Sequence, residues 1–220
     1  VFGLNENGND LYDVLAGAQR QGNWLNVLQW VSLLMQQSGL SYRELLDVLQ
    51  TSMSGATKPS IENLAEDQGA CCPSKMRVKN GGIDHLNWLY GFTRAWRSHG
   101  WSMRELDRFS TLWIRQGKVL VPGIILRLQE RLNQPILSLT AMLGYMEGQA
   151  WIEHTKDGTP TMPALYVAVF QHNALRASAS YSTFMLNVHG DELQYLDHPS
   201  SPVVKISDHA DFVAAALGIQ

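Results

Sequence analysis

The 220-residue chain carries 17 basic and 20 acidic side chains, a formal net charge of −3, with 45% hydrophobic and 17% charged residues. That is apolar content enough for a core, too little basic excess for a nucleic-acid binder, and too little Gly and Pro for a disordered or collagenous chain. No apolar run reaches the roughly 20 residues of a membrane helix; the longest, Val119 to Leu128, is interrupted by Pro122, Gly123 and Arg127.

Apolar periodicity predicts helices near 22–38, 41–52, 83–99, 102–116, 120–132 and 135–146, then shorter ones near 161–173 and 208–217. They group into helix–turn–helix units over 22–52, 83–116 and 120–146. Between the first two, residues 53–82 read as a long loop marked by Gly55, Pro59, Gly69, Pro73 and the Gly81-Gly82 pair. Residues 147–207 read as a second loop-rich insertion, with a turn at Lys156-Asp-Gly158. A short strand pair at Phe184–Val188 and Val203–Ile206, a hairpin near 184–206, is the only β structure expected. The predicted fold is mainly α: an irregular multi-helix array of αα-hairpin units in one helical domain over 1–220. The chain opens Val-Phe-Gly-Leu, with neither Met nor a signal-peptide pattern, and stops on Ala-Ala-Ala-Leu-Gly-Ile-Gln. It is expected to be a fragment of a longer protein.

A punctuation mark recurs. Leu33-Leu-Met-Gln-Gln-Ser-Gly39-Leu40-Ser41-Tyr-Arg-Glu44 is followed later by Phe92-Thr-Arg-Ala-Trp96-Arg-Ser-His-Gly100-Trp101-Ser102-Met-Arg-Glu105. Each reads as a helix closed by a left-handed Gly, one apolar residue, and a Ser that opens the next helix. Ser41 with Glu44 and Ser102 with Glu105 fit the capping box, in which hydroxyl and carboxylate satisfy each other's free backbone donors. Leu40 and Trp101 stand where an apolar residue staples the two helices. A weaker third copy has Asn133 for Gly and Pro135 for Ser. The marks are unevenly spaced, so the units are not a strict-period solenoid.

Charge is segregated. Residues 1–74 hold 3 basic and 8 acidic side chains, residues 75–131 hold 11 and 4, and residues 132–220 hold 3 and 8. Arg94, Arg97, Arg104, Arg108 and Arg115 alternate with core-type residues at helical spacing. A basic helical face packing near acidic neighbours, in this chain or the next one, explains the pattern better than an anion-binding patch does.

Chemistry is sparse. The seven histidines, at 85, 99, 154, 172, 189, 198 and 209, form no zinc-protease pair, and no nucleophile elbow, phosphate loop or dinucleotide fingerprint is present. Asp84-His85 and Asp208-His209 are neighbours in sequence but point about 100° apart on a helix. Their aspartates read as helix-start residues. The adjacent Cys71 and Cys72 are expected to be plain loop thiols, since neighbours rarely form a disulfide. Trp24, Trp30, Trp88, Trp96, Trp101, Trp113 and Trp151 read mostly as packing residues on apolar helix stripes, and Tyr181, Phe184 and Tyr195 as a contact surface. No catalytic, cofactor-binding or metal-binding residue is assigned.

The repeated units carry a family resemblance. Gly3-Leu-Asn-Glu-Asn-Gly-Asn-Asp10, Gly39-Leu-Ser-Tyr-Arg-Glu-Leu-Leu-Asp-Val-Leu-Gln-Thr51 and the run from Ile83 through Trp96-Arg-Ser-His-Gly-Trp101 to Glu105-Leu-Asp107 resemble the A component of bacterial insecticidal toxin complexes, the Tc toxins. Arg127-Leu-Gln-Glu-Arg-Leu-Asn-Gln-Pro-Ile136 and Asn187-Val-His-Gly-Asp-Glu-Leu193 have counterparts there too. Two stretches depart: Ser52-Met-Ser-Gly55 stands where the family has Asn-Pro, and Leu165 to Asn173 matches loosely. The resemblance implies a large secreted homopentamer whose channel delivers a toxic enzyme, held by B and C components, into host cells. It places this segment in the α-helical shell around the channel, with no direct membrane insertion, no nucleic-acid partner and no cofactor. The basic 75–131 stretch would then face acidic surface, and reversing Arg104 and Arg108 to Glu would alter assembly or pore release. Two other readings compete: a stand-alone helical interaction module, and an enzyme using His154, His172, His189 and His198 with the loop aspartates.

Overall fold

The computed structural model describes residues 11–52, 58–64, 72–115, 117, 122–170, 184–186 and 193–195. Their architecture is mainly α, with eight α-helices and four two-stranded antiparallel ribbons among the described residues. Where one helical domain was expected, the chain clusters into two compact units: residues 1–103 with 154–159, and residues 104–153 with 160–220.

The first described elements of the first unit form a hairpin, β1 (Leu11–Asp13) and β2 (Ala18–Arg20), in the register Leu11 opposite Arg20. Helices α1 (Trp24–Leu28), α2 (Val31–Ser38) and α3 (Tyr42–Leu49) follow. The helix expected over 22–38 is therefore two. At Trp30 the backbone turns extended and bridges Arg77, while the Val78 N–H donates to the Gln29 carbonyl at 2.7 Å. No Gly or Pro marks the break, so the apolar period runs straight through it. Gly39 then closes α2 at φ 65°, in the left-handed region that a Cβ disfavours. The Ser41 Oγ accepts the Glu44 N–H, and the Glu44 carboxylate accepts the Ser41 N–H at 2.7 Å, completing the expected capping box.

The segment 53–82, expected as loop, contains a second ribbon. Strand β3 (Ser60–Asn63) pairs antiparallel with β4 (Met76–Lys79), which leaves a 3-10 turn at Pro73–Lys75. Met76 and Val78 are buried while Lys79 is exposed and Arg77 half-buried, the period of a one-sided strand. Four residues per strand was too short a signal to separate from loop. Helix α4 (Ile83–His99) buries Leu86, Leu89 and Phe92 and ends at Gly100, φ 69°. The apolar residues after the two glycines, Leu40 and Trp101, are both buried as expected of staples.

In the second unit come α5 (Met103–Arg115, counted from Arg104), α6 (Pro122–Leu132) and α7 (Ile136–Met142). The turn between α6 and α7 holds Asn133 at φ 50°, the left-handed Asn read from the third mark. Leu106, Phe109, Leu112, Ile125, Ile136 and Leu139 are buried. A third ribbon, β5 (Trp151–Ile152) with β6 (Thr161–Met162), flanks the turn at Lys156-Asp-Gly158, with Gly158 at φ 76°. Helix α8 (Leu165–Phe170) follows. The fourth ribbon joins β7 (Phe184–Leu186) to β8 (Leu193–Tyr195), with Phe184 opposite Tyr195. The first strand falls where expected and pairs with Leu193–Tyr195; the other expected strand, Val203–Ile206, lies outside the described residues. The helix expected at 208–217 and residue Tyr181 lie outside the described residues. Among those described, no helix is long and apolar enough to cross a membrane.

Candidate functional site

Four acidic residues are buried among the described ones, Asp13, Asp47, Asp107 and Glu147, and three of them organise the polar interior by holding backbone amides. Strand β1 delivers the first, Asp13, with no exposed surface. Its Oδ2 accepts the Ser32 hydroxyl at 2.6 Å and the Arg20 Nε–H at 3.2 Å, and its Oδ1 accepts the Ala16 N–H. Arg20 also donates to the Ser74 carbonyl at 2.7 Å, and its guanidinium lies 3.7 Å above the Trp30 ring, with that of Arg77 at 5.2 Å. Charge-assisted bonds and cation–π contact thus tie the hairpin to α2 and the 3-10 turn. Trp30 is half-buried and holds cations, beyond the packing role read from the sequence.

Asp47, on α3, is the second. Its Oδ1 accepts the backbone N–H of His154 at 3.0 Å and lies 2.8 Å from His154 Nδ1, and its Oδ2 accepts the Thr155 N–H at 3.3 Å. Gln50 Nε2 donates to the same Oδ1 at 3.0 Å. A carboxylate that orients an imidazole through Nδ1 is the geometry of an acid–base pair. Here both carboxylate oxygens also hold backbone amides of the 154–159 turn, and among the described residues the His154 ring bonds only to Asp47 and Gln50. The pair fastens a turn. His172, His189, His198 and Asp208-His209 lie outside the described residues. Asp84 takes its expected place in the first turn of α4, and His85 Nδ1 accepts the Gly82 N–H at 3.3 Å, a local helix-start contact.

Glu147, in the second unit, is the third, 1% exposed between α7 and β5. Arg104 grips it through Nε, 2.9 Å from Oε1, and through Nη2; Arg108 Nε donates to Oε1 at 2.6 Å, and the Leu165 N–H donates to Oε2 at 3.1 Å. Arg108 Nη1 reaches Asp107 at 2.6 Å, and Arg104 Nη2 reaches the Pro163 carbonyl at 2.6 Å. Two cations and two anions thus meet in a space nearly closed to water. Burial pulls the Arg108 guanidinium down, but Asp107 and Glu147 outweigh it and hold it above its ordinary value. Tyr145 is pushed up, chiefly by burial, against the opposing charges of Arg108 and Arg115. Arg108 also lies 5.7 Å from the Trp151 ring centroid and Arg115 lies 5.0 Å from that of Tyr145.

The basic helix face therefore packs on an acidic neighbour in its own chain, as the charge segregation suggested. Arg104 and Arg108, whose reversal to Glu was expected to alter assembly or pore release, both point into the unit. Of the five arginines, Arg94, Arg97 and Arg115 are the exposed ones. Glu147 was missed because one acid in a Gly-flanked loop carries no periodic signal. Cys72 is exposed and its neighbour lies outside the described residues. Of the tryptophans, Trp101 and Trp151 are buried and the rest half-buried. Among the described residues no three His, Cys, Asp or Glu side chains are grouped to hold a metal ion. No protein-family model, curated protein or solved structure matches the chain significantly.

Proposed function

We propose that the chain is a segment of the α-helical shell of a Tc-type toxin A component, a scaffold rather than a catalyst. Its work would be to pack helices around a translocation channel and to contact other protomers of a homopentamer, which with B and C components delivers a toxic enzyme into host cells. The observation that carries this reading is the doubled mark Gly–apolar–Ser–x–x–Glu on which the family resemblance rests. At both copies the Gly adopts the left-handed conformation and the apolar residue is buried. Supporting it are the carboxylates Asp13, Asp47 and Glu147, each spent on fastening backbone rather than left facing a cleft.

Sequencing outward from the segment in its genome tests the proposal. The expected result is a reading frame many times longer than 220 residues, beside genes for the B and C components. A frame that closes near the ends of this segment, among unrelated genes, would contradict it.

A further inference from the structure

A groove in the first unit runs between the end of α2 and one face of α4, lined on its polar side by Gln37, Ser38, Tyr90, Thr93, Arg94 and Arg97. Positions 90, 93, 94 and 97 share one helical face by their spacing. What they present is almost wholly donors. Arg20, Arg43, Arg104 and Arg108 are all ion-paired, whereas Arg94 and Arg97 have no carboxylate partner among the described residues. Arg97 is held in place by donating Nη2 to the Ser38 and Gly39 carbonyls at 3.0 and 2.9 Å, which leaves its Nε–H and Nη1 without a partner among the described residues. Arg94 Nη1 lies 3.5 Å from the Tyr90 hydroxyl.

Thr93 supplies an independent sign. The residue is 5% exposed, and its Oγ1 is buried with no hydrogen-bond partner. A helical Thr ordinarily returns its hydroxyl to a carbonyl one turn back. Leaving the group buried and unbonded costs about 1–3 kcal/mol, a penalty that an acceptor in the groove would relieve once a turn about χ1 brings Oγ1 to the groove side. The Gln37 side-chain amide is likewise unbonded among the described residues.

We infer that this groove is a binding site for a carboxylate. Two guanidiniums, a hydroxyl and an amide line one groove with no acid among the lining residues; the Nε/Nη2 edge of Arg94 matches a carboxylate in two parallel bonds, and Arg97, with Nη2 given to carbonyls, adds a single bond from Nε–H or Nη1. This site does not depend on the toxin reading.

The test is NMR titration of the full 220-residue chain with N-acetyl-glutamate amide, acetate, N-acetyl-glutamine amide and inorganic phosphate. Expected are saturable shifts of the Arg97 Nε–H and the Thr93 methyl with both carboxylates. Tighter binding of the glutamate derivative assigns the source to an acidic side chain, and equal binding assigns it to free carboxylates. Arg94→Gln, at an exposed position, should weaken binding about tenfold with unchanged thermal unfolding. Thr93→Val should weaken binding while raising the melting temperature of the unliganded chain. Equal shifts with the glutamine derivative, tighter binding of phosphate, no shift at Arg97 and Thr93, or wild-type affinity in Arg94→Gln would each overturn the assignment.

Discussion

Glu147 is the residue whose loss should cost the most. It balances Arg104 and Arg108 and accepts a backbone amide, all at 1% exposure. Glu147→Ala strands two guanidiniums beside Asp107, and breaking a buried pair from one side costs about 3–5 kcal/mol. Urea unfolding of the purified chain measures it; a loss nearer the ~1 kcal/mol of an exposed pair would contradict the burial described. The same reasoning turns the reversal of Arg104 and Arg108 to Glu into a folding lesion, since it would place several carboxylates together. Tyr145 gives the pH dependence. Its folded pKa is raised, so above the ordinary phenol value of about 10 the folded state keeps a proton that the unfolded chain has lost. The stabilisation is complete below that value and is lost as pH rises through the folded pKa. Tyr145→Phe should flatten this part of the alkaline decline, and identical profiles for the two proteins would refute it. Charge segregation suggested a basic helix face near acidic neighbours, but the partner itself was not legible in the sequence, because a buried ion cluster joins residues some 40 positions apart with no spacing rule between them.

At the scale of elements the sequence was more readable, and the reason is local. Helix ends are set by four or five contiguous residues, so Gly39, Gly100 and Asn133 were recognisable as left-handed positions from their neighbours alone. Gly39→Ala should cost about 1–2 kcal/mol through its backbone, with added strain because a Cβ would stand 3.3 Å from Arg97 Nη2. Ser41→Ala should cost about 1 kcal/mol through loss of the capping box. Thermal unfolding of both variants checks the order, and a Ser41 effect larger than that of Gly39 would reverse the argument. The short strands were not readable. The ribbons at 11–20 and 60–79 pair residues through backbone bonds, and the break between α1 and α2 exists because Gln29 and Trp30 pair with β4. Those partners are about 48 residues away, beyond the reach of any local period. Asp47→Ala extends this to the 154–159 turn, whose Thr155 amide should then exchange with solvent faster than in the parent chain. Unchanged exchange would mean that the carboxylate does not hold the turn.

For the whole molecule, charge segregation has a concrete outcome: the basic middle of the chain binds Glu147 from the acidic final third, while Arg94 and Arg97 on α4 have no carboxylate partner among the described residues. Mainly α architecture followed from apolar periodicity, whereas the division into two units did not, because its boundary, between Met103 and Arg104, falls inside the first turn of α5, where the apolar period is unbroken. A shell role predicts that these elements meet other copies of one long polypeptide. Single-particle imaging of the full-length product of the gene is the direct measurement. A homopentamer with this helical segment in an outer layer around a central channel is the expected image. A monomer, or an assembly without a channel, would contradict the proposed function outright.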